Sequence, residues 1–146
     1  MNERNKSAAF LVLRLFFAQF WLLQMIGKAR DQESGITSFH NLAIWSANVT
    51  GWMVKSTPLP FWAVRPYTLA LPWVEFALAL LFLAGFRLRE ALIGSALVIV
   101  SLDVGLMFQL KHDVVAMNTV VMLAALLALQ WAPHARWSLD AVLERR

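Results

Sequence analysis

Three ionisable side chains stand inside stretches that are otherwise apolar: Arg14 in LVLRLFF, Glu75 in WVEFALAL and Asp103 in SLDVGLM. The amide of Asn118 stands in a fourth such stretch. Placing a charge at the centre of a membrane helix costs about 2.5–3.5 kcal/mol on insertion scales. A hydrogen bond between membrane helices contributes only about 0.6 kcal/mol on average. Groups retained against that difference point to a task beyond holding helices together. The carboxyls of Glu75 and Asp103 can take up and release protons and are the catalytic candidates. Counted along ideal helices, Arg14 falls roughly 5 Å to the cytoplasmic side of the midplane, Glu75 roughly 2 Å and Asp103 roughly 4 Å to the outer side. An Arg14–Glu75 pair is therefore feasible. One arginine does not neutralise two acids, so either Asp103 is protonated or a further cation reaches it, Lys28 first and Lys111 second.

Further groups complete a candidate ligand-binding set of Arg14, Lys28, Gln24, Trp73, Gln109 and Asn118. Gln24 and Gln109 fall in the outer half near Lys28. A polar pocket opening outward, floored by Glu75 and Asp103, would suit a small polar ligand or a quinone head. Trp73 flanks Glu75 and could stack on a ring, although tryptophans in such segments also serve as packing or interface anchors. Asn118 alone reads as structural. Pro72, three residues before Glu75, removes a backbone hydrogen bond and tends to kink its helix, as in helices that line cavities. His112 reads either as a proton relay or as a solvated helix end. The chain has no cysteine, which removes disulfides, thiol chemistry and thiolate metal sites. His40, His112 and His134 are far apart, so no metal site and no intrinsic cofactor is expected; a quinone is the cofactor such a pocket would take.

These residues need elements to position them. Of the 146 residues, 60% are hydrophobic and 15% charged, against about 25% charged in a typical soluble domain. Four stretches reach the roughly 20 apolar residues a membrane span requires: about 8–27, 67–86, 91–110 and 114–131. The expectation is a single all-α domain over 1–146, an integral membrane four-helix bundle facing the lipid bilayer. The first stretch contains Arg14 and two glutamines and no small-residue cleavage site follows it, so it reads as a retained helix and not a signal peptide. Between the first and second spans lies an extramembrane aromatic segment, 29–66. Within it Phe39, Leu42, Trp45, Val49 and Trp52 recur at helical spacing, Ser38 could cap the start, and Thr57-Pro58 ends the pattern. This predicts an amphipathic helix in the membrane interface, with a plain loop as the alternative. Ser138 could cap a short helix in the tail SLDAVLERR.

The net charge of +4 fits basic cytoplasmic loops better than nucleic acid, because no basic face remains once the loops are assigned. Arg4, Lys6, Arg87, Arg89, Arg136, Arg145 and Arg146 gather on one side. Lys28, Arg30, Lys55, Arg65 and Lys111 lie on the other, mostly in the long loop, where the rule weakens. Both termini are expected to be cytoplasmic, in a membrane of the bacterial inner-membrane type.

At this point the pattern resembles the DoxX/DoxD family of small four-helix membrane proteins. The resemblance rests on an Arg early in the first span (LVLRLFF) with a Lys at its end (MIGKA), and on a Glu in the second span followed by a glycine and an arginine, Gly-x-Arg (WVEFALALLFLAGFRLRE). It rests also on the spacing of the last two spans and on a closing Arg-x-Ser-Leu-Asp (ARWSLDAVL). It covers nearly the whole chain except 29–66. Met25 stands where the family usually has the glycine of Gly-x-x-Lys. The resemblance implies a site at Arg14, Lys28 and Glu75, to which the reading above adds Asp103. It implies the membrane subunit of a quinone-linked oxidoreductase, acting with a partner protein subunit or as a homo-oligomer. The alternatives are a structural or assembly subunit without its own chemistry, and a small transporter or proton path.

Overall fold

The computed structural model describes residues 3–31, 33–134 and 137–143. Arg136, Arg145 and Arg146, counted above for orientation, lie outside them. The described residues form α1 (Glu3–Ala29), α2 (Phe39–Ser56), α3 (Phe61–Ala84), α4 (Leu88–Phe108), α5 (His112–Leu129), a 3₁₀ turn (Ala132–His134) and α6 (Leu139–Leu143), with no strand among them. Four helical segments are long and apolar enough to cross a membrane: Asn5–Ala29, Phe61–Ala84, Leu88–Phe108 and His112–Leu129. The expected all-α architecture with four spans is present.

The second span begins at Phe61 and not at Tyr67. The Pro60 carbonyl accepts the N–H groups of Ala63 and Val64, which starts the helix early. Pro66 and Pro72 both sit within it. Each removes one backbone donor, a defect that membrane helices tolerate where neighbouring groups re-satisfy the freed carbonyl.

Two compact units are defined by contacts, 20–77 and 1–19 with 78–146. In the first, the turn after α1 is closed by polar groups. Ser38 N–H and Asn41 Nδ2 both donate to the Ala29 carbonyl (3.0 and 2.9 Å), and Asn41 also reaches the Ile36 carbonyl. Asp31 accepts from Glu33 N–H and Ser34 Oγ, and these bonds, the backbone one foremost, hold its carboxyl below the usual aspartate range. Ser38 caps α2 through its side chain, and Thr57 closes the other end by returning its N–H to the Met53 carbonyl, both as the sequence predicts. Leu42 of α2 packs with Met25, Ala29 and Phe76, which lays α2 against the last turn of α1 and the middle of α3.

In the second unit, Phe17 stacks on Phe82 with ring centroids 5.3 Å apart. α4 and α5 pack as a hairpin. Small side chains are buried on both, Ala91 and Ser95 on α4 and Ala125 and Ala128 on α5, which lets membrane helices approach closely. The hairpin turn puts Leu110 in the left-handed region (φ 56°), where Lys111 N–H closes on the Leu106 carbonyl. That six-residue closure usually takes a glycine.

Candidate functional site

The strongest polar contact of the 20–77 unit joins the last turn of α1 to the middle of α3. Lys28 Nζ donates to both carboxylate oxygens of Glu75, 2.5 Å to Oε1 and 2.6 Å to Oε2. The Glu75 side chain is 0% exposed and that of Lys28 11%. Glu75 lies about 4 Å past the midpoint of α3, where an unpaired charge is most expensive. Lys28 also reaches its own helix at the Gln24 carbonyl (3.4 Å). Its ammonium sits 5.2 Å from the ring centre of Trp45 on α2, a cation–π distance. Three elements therefore converge on one ion pair: α3 supplies the acid, α1 the base and α2 the ring above it.

Glu75 is thus held by Lys28, not by Arg14. The depth estimate that allowed Arg14 treated the spans as ideal and equally placed. The contact with Lys28 sets the acid level with the last turn of α1. Gln24 contributes its backbone carbonyl, and its side chain is exposed. Trp73 does not share a face with Glu75, since residues two apart on a helix point apart. It is 51% exposed and stacks on Phe39 of α2 (5.6 Å, 13° between planes).

Arg14 has another role. Its Nη1 donates to the backbone carbonyl of Trp137 at 2.5 Å, tying the tail to α1. Gly85 ends α3 with φ +69°, and Phe86 N–H returns to the Leu81 carbonyl, a Schellman closure. Asp140 then lies against the start of α4. Arg87, the residue before that helix, offers no side-chain cap, and Asp140 accepts the N–H groups of Arg87 (2.9 Å) and Leu88 (3.1 Å) while its own N–H meets the Gly85 carbonyl. A carboxylate here satisfies orphan donors and complements the helix dipole. Ser138 accepts from Ala141 N–H, the cap expected for the tail helix. Asp140→Ala should lower stability by about 1 kcal/mol, the usual loss of a cap, with Asp140→Asn keeping part of it. Thermal unfolding in detergent measures this, and an unchanged midpoint for the alanine variant would remove the capping role.

Asp103 and Asn118 meet across the α4–α5 hairpin, with Asn118 Nδ2 donating to Asp103 Oδ1 at 2.7 Å. Both side chains are half-buried. Gln109 turns back on its own helix end, donating to the Gly105 carbonyl (3.0 Å). Lys111 and His112 are exposed at the turn. The candidate residues are therefore gathered locally: Lys28 with Glu75, Asp103 with Asn118, Arg14 with the tail.

One cluster escaped the sequence reading. Ser46 and Thr50 of α2 and Thr68 of α3 are fully buried and linked, Ser46 Oγ to Thr68 Oγ1 at 2.9 Å and Thr50 Oγ1 to Thr68 Oγ1 at 2.7 Å, with Thr50 donating to the Ser46 carbonyl. Arg65 Nη1 donates to Ser46 Oγ at 3.1 Å. The signal was the i, i+4 spacing of Ser46 and Thr50 on the face opposite Ile44 and Trp52.

Fold and contacts together define a helical membrane protein with a buried lysine–glutamate pair between two of its apolar helices. No protein-family model matches the chain, and comparison with curated proteins and with solved structures likewise finds no match.

Proposed function

We propose that the chain is a DoxX-like membrane subunit of a quinone-linked redox complex in a membrane of the bacterial inner-membrane type, and that Glu75 handles protons at a quinone site. The observation that carries this reading is the buried Lys28–Glu75 pair. An acid and a base in contact, closed off by Trp45 and open to the outside only through the 11% exposure of Lys28, can pass a proton between them without leaving net charge in the hydrocarbon. Reduction of a quinone to a quinol consumes two electrons and two protons. The electrons come from a partner subunit, since this chain has no thiolates to hold a cluster. Glu75 delivers protons to the quinone oxygens and Lys28 restores them. Both termini are cytoplasmic in this reading.

α2 lies in the membrane interface in the same reading. It buries Ser46 and Thr50 and turns Phe39, Ile44 and Trp52 outward, an arrangement suited to lipid and not to water.

The test uses a short-chain benzoquinone analogue added to the purified protein. It should raise the melting temperature and quench the emission of the seven tryptophans, and both responses should be lost in Glu75→Gln. If the wild-type protein shows neither response, the quinone reading fails. An active complex carrying Glu75→Gln would point instead to an assembly subunit.

A further inference from the structure

We propose that Arg65, with the aromatic residues on its face of α3, binds the phosphate of an anionic phospholipid headgroup. Depth is the first argument. From Arg65 to Ala84 is 19 residues, about 29 Å of helix, against a hydrocarbon core of about 30 Å. With the end of α3 at one boundary, followed at once by Arg87 and Arg89, Arg65 falls at the other, where lipid phosphates begin.

Direction is the second. Side chains on a helix lean towards its N-terminus, and on that side of Arg65 stand the residues three and four positions earlier on the same face of α3. Those are Trp62 and Phe61, 77% and 60% exposed. Tryptophan exposed at this level is the ordinary interface anchor, and the two exposed rings on Arg65's face of α3 suit the glycerol and upper acyl region of a lipid.

Charge is the third. Among the described residues Arg65 has no carboxylate partner. What holds Arg65 is neutral. Ser46 Oγ accepts from Nη1 and is itself fixed by the Thr68 and Thr50 hydroxyls. This buried trio orients the guanidinium by one nitrogen and leaves its charge to be balanced from outside. The planar fork of arginine matches a phosphate bidentately, and at this depth the phosphodiester of a lipid is the anion always at hand. The surface is independent of Glu75 and of the proposed redox role.

The experiment titrates the purified full chain in detergent with phosphatidylglycerol, phosphatidylcholine and inorganic phosphate, reading retained lipid by native mass spectrometry and melting temperature by tryptophan emission. Phosphatidylglycerol should be retained and raise the midpoint, the other two should not. Arg65→Gln should bind it about fivefold more weakly, the effect expected of one basic residue at an anionic surface, with Arg65→Lys between the two. Equal retention of phosphatidylglycerol and phosphatidylcholine overturns the proposal, as does an Arg65→Gln variant that binds like wild type. A midpoint shift given equally by inorganic phosphate makes this a free-anion site and overturns the lipid assignment. If Arg65→Gln does not fold, Trp62→Ala, which leaves the guanidinium and its hydroxyls in place, decides: weaker retention supports the site, unchanged retention removes it.

Discussion

Removing either partner of the Lys28–Glu75 pair is expected to destabilise the protein strongly, and removing both is expected to cost little. Lys28→Met leaves a carboxylate with 0% exposure and no cation; Glu75→Met leaves an ammonium beside Trp45 with only 11% exposure. Breaking one side of a buried pair costs about 3–5 kcal/mol, because the remaining charge stays buried without compensation. Replacing both ions with apolar groups of similar volume is often neutral, or stabilising by about 1–4 kcal/mol, since the desolvation of two ions is then also avoided. The double variant Lys28→Met/Glu75→Met should therefore melt near or above the wild type, while each single variant melts far below it. Thermal unfolding in one detergent, followed by tryptophan emission, gives all three midpoints. Single variants that cost under about 1 kcal/mol each would mean that the pair is solvated, as exposed pairs are, and the buried-site reading would be falsified.

The double variant also separates stability from function. A protein that is stable yet no longer responds to a quinone analogue would show that the ions are kept for chemistry and not for folding. Burial of the pair has a further consequence: ionic strength should scarcely move these midpoints, because salt screens buried charges far less than exposed ones.

The helices were largely legible because membrane spans are specified by length and apolarity alone. α4 and α5 match the predicted stretches within a few residues, and Ser38 and Thr57 bound α2 as their capping chemistry requires. The start of α3 was placed at 67 by counting about 20 apolar residues, whereas the helix runs on through Pro66, since a proline removes one donor and need not stop a membrane helix. Individual site residues were legible by type: a Glu or Asp in an apolar run stands out in any sequence. Their partners were not. Pairing Arg14 with Glu75 used depth along idealised, equally placed spans, and the stagger between the end of α1 and the middle of α3 is set by packing, with Leu42 of α2 wedged among Met25, Ala29 and Phe76. The aromatic stripe of α2 was seen, but its opposite face was not weighed, and there Ser46 and Thr50 build the hydroxyl cluster. Two of the motifs behind the family resemblance, GFR and SLD, are partners: Asp140 reaches the backbone of Arg87 and the N–H of Asp140 reaches Gly85.

That junction carries the second large effect, expected of Gly85→Ala. Gly85 sits at φ +69°, and a Cβ built there would lie 2.5 Å from Arg14 Nη1, 2.8 Å from Ser138 Cβ and 2.9 Å from Ser138 Cα. The arginine tip can move. The Ser138 backbone cannot move without pulling Asp140 from the start of α4 and Trp137 from Arg14. A left-handed conformation costs a residue with a Cβ roughly 1–2 kcal/mol, and overpacking adds about 1–3 kcal/mol, so a loss of about 2–5 kcal/mol is expected. Gly27→Ala is the control. Nothing lies within 4 Å of a Cβ at Gly27, its φ is ordinary, and it is inside α1, so alanine there should be neutral or stabilising by about 0.5–1 kcal/mol. Melting both variants in the same detergent tests the difference. If Gly85→Ala melts with Gly27→Ala, the tail does not rest on the α3–α4 turn, and the capping of α4 by Asp140 goes with it. If it melts well below, then pairing Gly85→Ala with Asp140→Ala should lose less than the sum of the two single losses, because both changes break the same junction.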